Sequence, residues 1–485
     1  MLKQFKHLAS HSAVYGLAAI LNAAIGFVLT PLYTRYLIPS EYGVVTISTN
    51  TAAFAAMFFQ LGTGTAIFRS VLQRDVDQRV VLSTAFYFTL AITAPTLIAL
   101  LLLAQPLGYL LFDTLPNGAF FLRMVFITAA LDTIGAVPLA RFRIEEKSLA
   151  YIALTSGNFA LGLVLNIYFV AVAKLGIQGV FMANLVRASL YGVVTALTLL
   201  PKLRWVFSTS EMRDLLRFGL PLIPISIFAL ILSTADRYFL QNFSSMTVVG
   251  IYSVGYKLGS LLQLPVGAFQ IAWPAIMFSI YKTPQAKDFY AHLLTYFCLV
   301  MGAIGLVIAV FAPEAINLIA DPQYFEAWKI VPYVVLSQLM LGILYVTAIG
   351  VNIQKRPEHI ILAWLISVIV HLGINFLIIP AYGMLGAALS TLIAYTLVAV
   401  LATIASIRLY PVSYQYARLG KLAIAFTGAY LLSLTIVTTT FGVQSILKVL
   451  IILCAPLILF ILGFFTKDEL KKIRSYAQLL TSRDQ

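Results

Sequence analysis

The chain has 485 residues, 61% of them hydrophobic and 10% charged, with a mean hydropathy of +0.95. This composition excludes a soluble enzyme, since no soluble core absorbs so much apolar sequence, and describes a polytopic membrane protein. The net charge of +14 would suit a nucleic-acid partner, but the placement of the basic residues excludes that reading.

About 14 apolar segments follow one another, at roughly 12–32, 44–68, 80–103, 119–140, 150–173, 177–200, 218–240, 248–275, 291–312, 329–351, 360–380, 383–407, 420–440 and 445–465. Each is about 20 residues or longer, the length a helix needs to cross a hydrocarbon core about 30 Å thick. The ten-residue alternation of a β-barrel is absent. The first segment, preceded by Lys3 and Lys6, is too long for a signal peptide and lacks a clear small-residue cleavage site, so it reads as a spanning helix. Cys298 and Cys454 lie inside separate apolar segments and offer neither a disulfide framework nor metal spacing.

With both ends inside, 24 of the 32 lysines and arginines fall on the cytoplasmic side, in the termini and the even-numbered connections. Five fall outside (Arg35, Arg123, Lys174, Lys329, Lys448) and three within the membrane (Arg187, Arg237, Lys257). That asymmetry predicts cytoplasmic termini in a plasma membrane, and the basic excess is the topology signal itself.

An internal repeat is visible. TRYLIPSEYGVVTIS from Thr34 parallels DRYFLQNFSSMTVVGIYSVG from Asp236, which matches Arg35 to Arg237 and Gly43 to Gly250. Later, Asn166 and Gly176-Ile177-Gln178-Gly179 parallel Asn375 and Gly383-Met384-Leu385-Gly386. The expected architecture is an all-α polytopic membrane protein. Two six-helix lobes, residues 1–200 and 201–419, are related by a parallel pseudo-twofold repeat, and two added helices occupy 420–465. Residues 466–485 begin with a capping box at Thr466-Lys467-Asp468-Glu469 and continue as an amphipathic cytoplasmic tail on the phospholipid surface.

Polar residues recur on single helix faces. Tyr15, Asn22, Gly26, Thr30 and Tyr33 align in the first helix, and Ser367, His371 and Asn375 in the eleventh. Ser226, Ser233 and Arg237 align in the seventh; Tyr252, Tyr256, Ser260, Gln263 and Gln270 form a broad face in the eighth. Such faces avoid lipid and point to other helices or to a hydrated cavity. Charges inside the membrane cost about 2.5–3.5 kcal/mol each on insertion scales, so they pair or meet water. The cations are Arg187, Arg237 and Lys257, with Arg35 and Arg123 near the outer boundary. They outnumber the anions Asp132 and Asp236, and Asp236 is placed to neutralise Lys257. A cationic cavity suits an anionic headgroup, which arginine grips bidentately. Asp132, Asp236 and His371 are the candidates for ion coupling, with structural hydrogen bonding as the alternative for each.

Asp236-Arg237-Tyr238-Phe239-Leu240, then Val249-Gly250-Ile251-Tyr252-Ser253 and Tyr256-Lys257-Leu258, resemble the mid-chain motif of Wzx-like polysaccharide flippases of the multidrug/oligosaccharidyl-lipid/polysaccharide superfamily. The resemblance implies flipping of an undecaprenyl-pyrophosphate-linked oligosaccharide from the inner to the outer leaflet of a bacterial inner membrane. Alternating access would serve the synthesis of O-antigen, capsule or exopolysaccharide. The implied partners are that lipid-linked oligosaccharide, the membrane and other polysaccharide-assembly membrane proteins. No cofactor or metal is expected, and no Walker motif or catalytic constellation suggests an enzyme. The rival readings are an ion-coupled multidrug exporter of the same superfamily and a membrane-embedded glycan polymerase or ligase.

Overall fold

A computed structural model describes residues 27–73, 76–112, 117–436, 441–466 and 469. Among these residues the regular structure is entirely helical. The described part of α1 covers 27–36. It is followed by α2 (Pro39–Gln60), α3 (Thr63–Gln73), α4 (Gln78–Phe112), α5 (Gly118–Ile144), α6 (Ser148–Asn166), α7 (Gly176–Leu199), α8 (Thr209–Gly219), α9 (Ile223–Phe243) and α10 (Met246–Gly259). Then come α11 (Gln263–Ile280), α12 (Ala286–Val310), α13 (Ala312–Ile319), α14 (Val331–Thr347), α15 (Ile349–Ile353), α16 (Glu358–Leu409), α17 (Tyr416–Leu434) and α18 (Phe441–Ile461).

Eleven stretches among the described residues are long and apolar enough to cross a membrane. One of them, α16, has 52 residues. At 1.5 Å per residue that is about 78 Å, more than twice the hydrocarbon thickness. It breaks at Gly383, whose φ of 52° and ψ of −129° suit a residue without Cβ, so it makes two crossings, as the sequence segments expect. Leu102, Leu110, Ile369, Leu457 and Ile461 stand exposed on the spans, where hydrocarbon rather than water is the matching solvent. The protein is a multi-pass, all-helical membrane protein.

The expected segment 248–275 falls within one helical span, Met246–Ile280, in which a 3₁₀ turn at Ser260–Leu262 lies between α10 and α11.

The chain forms two compact units: residues 1–258, 316–330 and 361–394, and residues 259–315, 331–360 and 395–485. In the first, α2 packs on α4, α5, α7 and α9, and α5 packs on α7. The amphipathic α8 lies on α3 and α4. Its Ser208 Oγ accepts the Glu211 amide at 3.3 Å, the side-chain cap a helix start requires. At the end of α5, Arg141 binds Glu145 through two nitrogens and holds its carboxyl below the ordinary carboxylate range.

In the second unit α12 packs on α14 and α17, and α17 on α18. These helices enclose an apolar cavity of about 480 Å³ lined by Leu306, Leu339, Met340, Phe426 and Leu431 among others. The capping box at Thr466 forms as expected: Glu469 Oε2 accepts the Thr466 amide at 2.8 Å, and Thr466 Oγ1 accepts the Glu469 amide at 3.3 Å. Arg418 grips the same carboxylate at 3.0 and 3.2 Å. The rest of the expected amphipathic tail lies outside the described residues.

Candidate functional site

Four of the charges expected within the membrane, Asp132, Arg187, Asp236 and Arg237, form two clusters in the first unit. In the first cluster, Arg187 of α7 donates Nη1 to Asp132 Oδ1 at 3.0 Å and Nη2 to Asp132 Oδ2 at 2.7 Å, a bidentate fork onto α5. Its Nη1 also reaches Asn158 Oδ1 on α6 at 3.0 Å. A Cβ on Gly162 would stand 2.9 Å from Arg187 Cδ, so the glycine makes the room through which the arginine passes. One turn further, Asn166 donates to the Gly162 carbonyl at 2.8 Å and accepts from the Tyr33 hydroxyl at 2.6 Å. Asn158, Gly162 and Asn166 thus form one face of α6, at four-residue spacing. The Asp132 side chain keeps 40% of its surface exposed and Arg187 14%, so the pair is open on one side.

The second cluster is closed. Asp236 has no exposed surface and Arg237 has 5%. Asp236 Oδ1 accepts the Arg237 backbone amide and its Nη1, both at 2.9 Å. The other oxygen accepts from the Tyr252 hydroxyl and, at 3.2 Å, from Thr391. The Arg237 guanidinium lies 4.1 Å from the Tyr256 ring centroid and 5.3 Å from that of Tyr252, a desolvated cation–π stack. Next to Thr391, Ser390 meets His371 Nδ1 at 3.0 Å, and Asn375 meets Nε2 at 3.1 Å. His371, Asn375, Ser367 and Ser390 have no exposed surface, so this polar face joins the two parts of α16 to each other.

Asp236 is therefore committed to Arg237, Tyr252 and Thr391 rather than to Lys257. The reason is proximity: Arg237 is the next residue, and its Nη1 folds back along α9 to Asp236 and to the Ser233 carbonyl. Lys257 instead stands 5.2 Å from the ring centroid of Tyr42. Arg35 and Arg123 are exposed near helix ends, and so is Gln263. Tyr252 is fully buried and Tyr256 half-buried. Tyr15 and Asn22 lie outside the described residues. The structure thus brings Arg187 to Asp132, and Arg237 to Asp236, Tyr252 and Tyr256, and leaves Arg35 and Arg123 at the surface. Sequence reasoning missed Asn158; its four-residue spacing to Gly162 and Asn166 was the available signal.

Above Lys257 the repeat-related helices α2 and α10 cross. A Cβ on Gly43 would lie 2.2 Å from the Met246 carbonyl oxygen, and one on Gly250 1.9 Å from that of Pro39. Tyr42 packs edge-on against Tyr33 and Tyr324, with centroids 6.3 and 5.9 Å apart. The Tyr324 hydroxyl donates to the Leu37 carbonyl at 2.9 Å, and Thr34 Oγ1 to that of Ile319 at 3.0 Å. At these ends, which the odd-numbered connections join, α2 and α10 meet by backbone contact.

Residues 32–329 match a family described as polysaccharide biosynthesis protein. The chain is 24% identical over 326 residues to the succinoglycan biosynthesis transport protein ExoT of Rhizobium meliloti, covering 65% of this chain and 63% of that protein. The alignment thus spans less than two thirds of that relative. The fold is shared with the lipid II flippase MurJ in an inward closed conformation, at a TM-score of 0.74 and 13% identity, over 92% of this chain and 99% of that one. A multidrug resistance MATE family transporter of the MOP superfamily in an inward-facing conformation follows at 0.67 and 13% identity, over 80% and 94%. With its multi-pass helical fold and the family match over most of its length, the chain belongs to the polysaccharide biosynthesis protein family.

Proposed function

We propose that the protein is a flippase that carries a polyprenyl-pyrophosphate-linked oligosaccharide from the inner to the outer leaflet of the plasma membrane by alternating access. The observation that carries this reading is the Arg187–Asp132–Asn158 cluster: a bidentate ion pair set within membrane-spanning helices, open on one side. Without a ligand, an unpaired arginine there would be costly, and Asp132 offsets that cost. A phosphate presents the same pair of acceptor oxygens to the same fork, with more charge. It displaces Asp132 from Arg187, and the partly exposed carboxylate is then free to take up a cation or proton. Substrate arrival and ion uptake are coupled through one guanidinium.

Arg237 has a different role in this account. Its Nη1 is bound to Asp236 and to the Ser233 carbonyl, and its guanidinium lies against two tyrosines, so together with Asp236 it ties α9 to α10 and to Thr391 rather than meeting the headgroup. The contact of α2 and α10 at Gly43 and Gly250 closes the outer end while the headgroup loads from inside. The family match supports the reading, as do the transport role in the succinoglycan relative's name and the fold shared with the lipid II flippase.

The test is a strain lacking the protein. Its lipid-linked oligosaccharide should accumulate facing the cytoplasm, open to a glycosidase in inside-out vesicles and protected in intact cells. Accumulation on the outer leaflet would point to a polymerase or ligase and overturn the proposal.

A further inference from the structure

The first unit holds a polar cavity, separate from both charge clusters. It has a volume of about 920 Å³ and lies where the starts of α2, α5, α7 and α10 meet the ends of α4 and α9. All of these are ends expected to face outside. Its polar lining is unusual for a protein whose spans carry so many cations. Four side-chain amides, those of Asn117, Gln178, Gln241 and Asn242, border it together with Ser40 and Tyr109. Among the described residues no lysine or arginine lines it. The one carboxylate among its described residues, Glu41, accepts the Ile38 amide at 3.2 Å as part of the α2 cap.

This inventory disfavours a phosphate or pyrophosphate as occupant, because no described residue of the lining offers a compensating positive side chain. Amides suit hydroxyl groups: each presents one acceptor and two donors, matching ring hydroxyls that both give and take a hydrogen bond. Gln241 is already oriented. Its Nε2 donates to the Leu111 carbonyl, while its buried Oε1 has no partner. Tyr109 is 65% exposed at the rim, an aromatic face on which the C–H face of a pyranose packs. Phe112 and Phe121 complete the apolar part of the wall.

We infer that this cavity is a saccharide subsite for uncharged hexopyranose units of the glycan, at the outer end of the transport path. The inference rests on the flippase reading and adds to it a place for the sugar apart from the headgroup. The subsite holds the glycan by neutral hydrogen bonds and stacking, whereas the arginine fork holds the charged linkage. Each hydrogen bond to a neutral partner is weak in water, so the subsite binds free sugar in the millimolar range and releases it readily outside.

The test uses the full chain in lipid nanodiscs with three soluble probes: maltotriose and globotriose, which are neutral, and trigalacturonate, which is anionic. Saturation-transfer NMR should show contact with at least one neutral trisaccharide and weaker or no contact with trigalacturonate. Asn242→Ala, at an exposed position, should weaken that signal about fivefold, the effect of one neutral hydrogen bond, and Gln241→Ala as much or more. Tyr109→Ala should remove the transfer to ring C–H protons. No transfer to either neutral probe, preference for the anionic one, or a signal unchanged in all three variants would overturn the subsite. The flippase reading fails by a separate result, absence of flipping by the wild-type protein in liposomes, whatever the trisaccharides do.

Discussion

Gly43 and Gly250, equivalent positions of the two sequence repeats, face each other where α2 and α10 cross: a Cβ on Gly250 would lie 3.2 Å from the Gly43 amide nitrogen and 1.9 Å from the Pro39 carbonyl oxygen. Equivalent residues meet in this way only near a twofold axis, so the crossing marks where the pseudo-symmetry of the repeat passes through the first unit. No side chain fits there unless the helices separate.

Gly250→Val should therefore part α2 from α10 at their outer ends. A reporter cysteine at Ser253, 3% exposed in the present packing, should be silent to an impermeant thiol reagent applied outside intact cells. It should become reactive when Gly250→Val is added. An inserted, stable double variant that stays unlabelled would show that this contact is not the outer closure.

The Arg237–Asp236 pair makes a prediction about stability rather than transport. Removing one member of a fully buried pair costs about 3–5 kcal/mol, because the other charge is left without a partner. Arg237→Ala should lower the unfolding temperature in detergent markedly, and adding Asp236→Asn should recover part of the loss. Wild-type unfolding of Arg237→Ala, with transport abolished, would return Arg237 to the headgroup site.

Topology is open to a direct check. Single cysteines at the exposed positions Asn117 and Gln323 should be labelled from outside intact cells. Cysteines at Gln354 and Ser413 should be labelled only after permeabilisation. The reverse pattern would invert the orientation and place the amide-lined cavity on the cytoplasmic side.

The spans were legible because hydropathy runs of about twenty residues have one physical meaning. Even the break at Gly383 lies at the boundary between two expected segments. The capping box at Thr466 was legible because it is local. The charge pairing was not. Arg187 and Asp132 lie 55 residues apart on different helices, and which face of α5 meets which face of α7 depends on packing that periodicity leaves open. Asp236 was expected to reach across a hairpin to Lys257, yet the adjacent Arg237 meets the same carboxylate through its backbone amide and Nη1. The four amides of the outer cavity come from three different helix ends, those at Asn117, Gln178 and Gln241-Asn242, so no short sequence window contains them together.

If Asp132 is the ion-coupling group, Asp132→Asn should keep Arg187 hydrogen-bonded yet remove the titrating carboxylate. The variant should bind the lipid-linked substrate, and its transport should no longer respond to an imposed pH gradient. A response to membrane potential should persist, because each unit of uncompensated charge crossing 100 mV contributes about 2.3 kcal/mol. An intact pH response in Asp132→Asn would move the coupling elsewhere.

The most direct measurement is flipping itself, in liposomes holding the purified protein and a fluorescent polyprenyl-pyrophosphate-linked oligosaccharide. An impermeant reductant bleaches whatever reaches the outer leaflet. The wild-type protein should expose the inner pool far faster than protein-free liposomes. Arg187→Ala should be at least about tenfold slower, since losing a bidentate charge-assisted contact costs about 2–5 kcal/mol. A wild-type rate equal to that of protein-free liposomes, or a wild-type rate retained in Arg187→Ala, would contradict the account.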